Sequence, residues 1–202
     1  MYHPADLVLT PDHDLALVAP LAADAEAIET FNIWVFDPAR NIGFNVHPRA
    51  TGGAMACSVT VFLPDGRIAR ANPGAAASFD DPRRPSSEFV TLECIEPFKR
   101  WAVRIVVAPV FLTSDAGQAA GTVADETPTA RISLDAVFTM VAPTWINGAL
   151  LPESRQTMRD TMSFWMGNRL VAGFDPEAFR YDQLIEGEGV VTFDGQSLDF
   201  GG

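Results

Sequence analysis

Little in this chain points to metal or redox chemistry. Its 202 residues include two cysteines and three histidines, and no CxxC pair or Cys/His cluster brings three or four of them within ligand spacing. Cys57 and Cys94 each fall on an apolar face of an expected strand; they could pair if those strands adjoin, but buried free thiols are the expected state. A G-x-S-x-G nucleophile elbow, a phosphate loop and a dinucleotide fingerprint are all absent, which argues against the common nucleotide-binding and α/β-hydrolase classes. No apolar run approaches the roughly 20 residues that span a bilayer. The first residues, MYHPADLVLTPDHD, lack a basic region followed by an apolar stretch, so no signal peptide is expected and the cytoplasm is the default compartment. Basic residues are scarce: 14 against 26 acidic ones, a formal net charge of −12. Such a surface repels phosphate, so neither nucleic acid nor an anionic membrane is an expected partner.

What is abundant is apolar and aromatic. The chain is 48% hydrophobic and only 20% charged, with 14 phenylalanines and four tryptophans, enough for a sizeable core. The hydrophobic pattern repeats every second residue, the signature of half-buried strands. It is plainest over residues 89–107, FVTLECIEPFKRWAVRIVV. Val90, Leu92 and Cys94 share one face. After a corner at Pro97, Trp101, Val103, Ile105 and Val107 share one again.

Residues 1–27 read as an arm with three prolines and no sustained period. Strands are expected at 29–36, 42–47 and 54–63, with a weaker one at 67–77 broken by Pro73 and Gly74. Asp37-Pro38 and Asp65-Gly66 mark the turns. Residues 114–128 form a polar loop, and 130–141 alternate without interruption. A change of pattern over 142–175 marks an irregular or helical insertion, with Ser154 as a helix cap and Met158, Met162 and Trp165 on one face. Strand-like segments follow at 179–185, 189–193 and 196–200. The fold class is therefore mainly β: an antiparallel barrel or sandwich spanning residues 28–202, of about eight to ten strands.

Two side chains are candidates for acid–base work. His47 shares a strand face with Asn45, and an imidazole is the side chain suited to donating or accepting a proton; the alternative is a strand-end imidazole satisfied by backbone. Glu93 flanks the Pro97 corner, and it either acts as a buried acid or pairs, as Glu96 does, with Lys99, Arg100 or Arg104. No metal or cofactor is expected. Trp34, Phe36, Asn45, Trp101, Trp145 and Trp165 are candidates to line a cavity for one small apolar molecule, the alternative being a solid aromatic core.

Four segments carry a resemblance: WVFDPARNIGFNVHPR (34–49), LECIEPFKRWAVRI (92–105), ISLDAVFTMVAPTW (132–145) and FRYDQLIEGEGVVTFDGQ (179–196). Together they resemble the first half of bacterial tandem lipocalin-like proteins related to hydroxyneurosporene synthase (carotenoid 1,2-hydratase) and the AttH-like group. The resemblance implies a lipocalin-like barrel, a second such domain after it or a homodimer, and a hydrophobic, isoprenoid-type ligand. If the protein is an enzyme, it implies a cofactor-independent hydratase (lyase) or isomerase. The rival reading is a non-catalytic structural or interaction barrel that packs against a partner. A cavity that holds an apolar molecule distinguishes the first reading; a solid interior with one exposed apolar face distinguishes the second.

Overall fold

A computed structural model describes residues 9–15, 28–71, 73–121, 127–146 and 181–201. The expected helix from Ser154 and the position of Trp165 lie outside the described residues. Thirteen strands are described: β1 (Ile28–Thr30), β2 (Ile33–Asp37), β3 (Ile42–Thr51), β4 (Ala54–Phe62), β5 (Arg67–Ala71), β6 (Ala77–Ser78), β7 (Val90–Glu96), β8 (Arg100–Ser114), β9 (Ala130–Met140), β10 (Trp145–Ile146), β11 (Tyr181–Asp182), β12 (Ile185–Phe193) and β13 (Gln196–Phe200). Eleven join one antiparallel sheet, with β1 and β2 both pairing β3 and the order continuing β3-β4-β5-β8-β9-β12-β13, while β10 and β11 form a separate ladder. The mainly β, antiparallel expectation is what the structure shows.

β8 holds the two halves of the sheet together. Its first residues pair with β7 and β9, and its last, from Phe111 to Ser114, pair with β5. The register slips between Ile105 and Ala108. A bulge of this kind puts two residues opposite one and reverses which face the following side chains occupy. This corrects the expected apolar face of residues 101–107: Val107 does not continue the row of Trp101, Val103 and Ile105. Val106 and Val107 both face outward, and Ala108 and Val110 take over the buried row.

Three other expectations are corrected. β3 continues beyond His47 to Thr51, because Pro48, which has no N–H to offer, falls where β1 and β2 part and only its carbonyl is used, accepting from Phe31 N–H at 3.1 Å. β12 runs unbroken from Ile185 to Phe193, through residues 186–188, which were expected to separate two strands. The polar loop begins with a short helix, α1 (Asp115–Ala119), capped by Ser114 Oγ, which accepts from Gly117 N–H at 3.0 Å.

The inward faces meet in one core. Phe44 of β3 lies 4.9 Å from Phe200 of β13 and 6.0 Å from Phe138 of β9, ring centre to ring centre. Around them Ile42, Met55, Leu92, Ile105, Ile132 and Leu134 are almost wholly withdrawn from water, each worth about 1.5–3 kcal/mol of transfer free energy. The sheet's outer edges, β2 and β13, share no backbone ladder among the described residues. They meet instead through Asp37, which accepts from Gly201 N–H at 3.0 Å, while Arg40 Nη1 donates to Gly201 O at 3.1 Å.

Candidate functional sites: an outward aromatic strip and a buried carboxylate

Side chains alternate along β2, so Val35 turns inward and its neighbours turn out. Trp34 is 61% exposed and Phe36 63% exposed. Trp34 stands opposite Asn45, and Phe36 opposite Gly43, which in turn faces Phe62 of β4. The lack of a side chain at Gly43 lets the Phe36 ring lie over it, with one ring carbon 3.1 Å from where a Cβ would stand and the Phe62 ring 3.6 Å from the same point. Trp34, Phe36 and Phe62 thus form an aromatic strip across the outer side of three strands. Asn45 is fixed beneath it: its amide donates to Asn32 Oδ1 at 2.6 Å and to Ile33 O at 3.2 Å.

The second site is at the Pro97 corner. The turn Glu96–Lys99 has its Lys99 N–H on Glu96 O at 3.1 Å, with Pro97 at its second position and Phe98 at φ 59°. That left-handed conformation suits glycine and costs a bulky residue about 1–2 kcal/mol. Facing the turn is Asp14, the last residue of a 3₁₀ turn, Pro11–Asp14. Thr10 N–H donates to His13 Nδ1 at 3.0 Å and helps to set that turn. Asp14 is 2% exposed. Its Oδ2 accepts from Phe98 N–H at 2.6 Å and from Trp101 Nε1–H at 2.8 Å, and its Oδ1 accepts from Tyr181 O–H at 2.5 Å. Aromatic rings enclose the carboxylate: Phe98 meets Tyr181 edge-on at 5.5 Å, and Phe31 lies 5.8 Å from Trp101. Burial, then the charge of Asp14, pushes the Tyr181 phenol well above its usual range. The same two causes push the Cys94 thiol up to about 11, with Arg83 opposing them. Burial alone carries Cys57 to about 12. Both cysteines are free, buried thiols.

The candidate residues of the sequence are dispersed. Among those that lie in the described residues, Trp101 alone touches the buried carboxylate. His47 is half-buried on β3 opposite Ser58. Glu93 is exposed on β7, a strand that shares no ladder with β3, and lies 3.8 Å from Arg84 rather than from the expected cations of the corner; Glu96 does pair with Lys99. Trp34, Phe36 and Trp145 are exposed, Trp145 on the β10–β11 ladder. Sequence reasoning missed Asp14 and Tyr181. The Thr10–His13 capping spacing ahead of Asp14 was the one local signal available.

Among the described residues no three His, Cys, Asp or Glu side chains are placed to hold a metal ion, and no helix is long and apolar enough to cross a membrane. Two surface clefts are described. One of about 270 Å³ is lined by Arg40, Ile42, Pro64, Ser197, Leu198 and Asp199. The other, of about 330 Å³, lies beside Pro109, Thr129 and Arg131. Neither includes a residue of the strip or of the Asp14 cluster.

Fold and sites together define an antiparallel β domain with a packed apolar interior. The chain matches no protein-family model, no curated protein and no solved structure.

Proposed function

We propose that this domain is a protein-interaction module that docks through the strip of Trp34, Phe36 and Phe62. One observation carries the reading: the inward side chains pack against one another, while two large aromatic residues on one edge strand remain more than half exposed. Exposed aromatic groups of this kind mark contact surfaces, and Trp is prominent among residues that dominate binding energy. The occupant is a different protein with an apolar contact surface and a basic rim. Each copy of this chain carries −12, so a second copy is repelled where a basic surface is attracted. The reading of a hydratase or isomerase acting on an apolar molecule rests on the resemblance, and His47 and Glu93 stand on separate strands.

The test begins with a photo-crosslinker at position 34 of the full chain in its own host. The captured protein is then purified and its affinity measured for the native chain and for the Trp34→Ser/Phe36→Ser variant. The expected result is a loss of affinity of at least about thirtyfold, equivalent to roughly 2 kcal/mol, with an unfolding temperature close to that of the native chain, and weaker binding as salt rises. Unchanged affinity of the variant would overturn the proposal. So would a small apolar molecule found bound in native mass spectrometry and lost from the variant, which would restore the ligand-binding reading.

A further inference from the structure

The Asp14 cluster has the composition of a binding site that holds one of the protein's own side chains. Three donors converge on one carboxylate from two parts of the chain distant from it, two from the Pro97 corner and the start of β8 and one from Tyr181, 167 residues from Asp14. Two of the donors are rigid. Trp101 is buried in β8, and the Phe98 N–H is aimed by a turn whose left-handed conformation a phenylalanine adopts only at a cost. The third, Tyr181 O–H, comes from β11. Donors preset in this way stabilise an anion without reorganising to receive it. Aromatic rings adjoin the donors: half-buried Phe98 packs on Tyr181 and half-buried Phe31 on Trp101, whose ladder partner on β7 is the buried Cys94. Beyond Tyr181, Val141 and Leu184 are exposed and joined by Val141 N–H to Leu184 O at 3.0 Å. On the opposite side, beside β7, Arg83 Nη1 donates to Cys94 O at 3.4 Å and supplies a positive charge near that thiol.

We propose that Phe98 N–H, Trp101 Nε1–H and Tyr181 O–H form a carboxylate-binding site that Asp14 occupies as an internal ligand. A small organic acid with an apolar body takes its place when residues 9–15 move aside. The carboxylate answers the three donors and the apolar body answers the rings. Asp14 is then an autoinhibitory side chain. The inference is independent of the outward strip, which involves none of these residues.

The test is rescue of a vacated site. In the full chain, Asp14→Ala removes the internal carboxylate and leaves the three donors. Thermal unfolding of this variant is followed in sodium formate, acetate and octanoate against sodium chloride at equal ionic strength. The expected result is a saturable rise of about 4 °C in the carboxylates. Octanoate should reach it at the lowest concentration, and the native chain should show no such rise in formate or acetate. Identical curves in all four salts would overturn the proposal, as would an equal rise with octylamine.

Should Asp14→Ala not fold, the native chain is titrated with octanoate and read by the Trp101 indole N–H resonance. Displacement requires that resonance and the Phe98 amide to shift together, with faster amide exchange at His13 and Leu15, whose N–H groups bond within the 3₁₀ turn. Unmoved resonances at saturating octanoate would overturn it equally.

Discussion

Phe98 shows how one residue's backbone can serve a distant side chain. Its φ of 59° is a conformation that glycine adopts without cost, yet the position holds an aromatic ring that packs on Tyr181. The conformation directs the N–H to Asp14, and the ring offsets part of the strain by its contact. Replacing the ring separates the two effects. Phe98→Ala loses the contact and keeps the left-handed penalty, whereas Phe98→Gly loses the contact and the penalty together. Glycine is therefore expected to be the more stable of the two variants by about 1 kcal/mol, the reverse of the usual order at an ordinary strand or helix position. Denaturant unfolding of both variants measures the difference, and an alanine variant equal to or above glycine would mean that the turn is not left-handed at this residue.

Among the elements, β12 depends most on what its residues lack. A Cβ on Gly189 would lie 2.2 Å from Asp135 O and 2.8 Å from Ala136 Cα, whereas on Gly187 it would meet the Phe138 ring at 2.9 Å. The backbone of β9 has no rotamer to change; a ring can tilt, although Phe138 is confined by Phe44. Gly187→Ala is thus expected to cost about 2 kcal/mol and Gly189→Ala more than about 3 kcal/mol, both as overpacking. Equilibrium urea unfolding gives the order, and equal costs would show that β9 yields as readily as the ring. These glycines also explain what was legible. Period-two alternation announced β4, β7 and β9 almost to the residue, because a sheet with one dry face imposes that pattern. Residues 186–188, around Gly187, were read as a break, since a position kept bare for close approach and a turn carry the same letter. The β8 bulge was invisible for a related reason: Val106 and Val107 are both good strand residues, and only pairing with β9 decides which of them loses its place in the row. Asp14 and Tyr181 were beyond local pattern, apart from the Thr10–His13 capping spacing ahead of Asp14. Each is unremarkable in its own segment, and their roles arise only where the 3₁₀ turn, the Pro97 corner and β11 meet.

At the scale of the whole molecule, the two outer edges of the sheet are joined by Asp37. Its carboxyl sits at about 2, held below its ordinary 3.8 first by the Arg40 guanidinium and then by the Gly201 N–H, with the Arg40 and Ala39 amides adding to both. Arg40 Nη1 lies 2.8 Å from Oδ2, and the Ala39 N–H lies 2.9 Å from Oδ1. Because the folded value is below the unfolded one, the folded state binds this proton less readily. The resulting stability is fully present above about pH 4 and is lost as pH falls from there towards 2. Asp37→Asn cannot lose what it does not have. The variant is expected to be less stable than the native chain at pH 7, and the gap between the two should narrow steadily between pH 4 and pH 2. Other carboxylates titrate in both proteins and cancel in the difference. Circular dichroism melts at half-unit steps across that window test the point, and a gap that stays constant down to pH 2 would place the joining of β2 to β13 in backbone contacts rather than in the charge of Asp37.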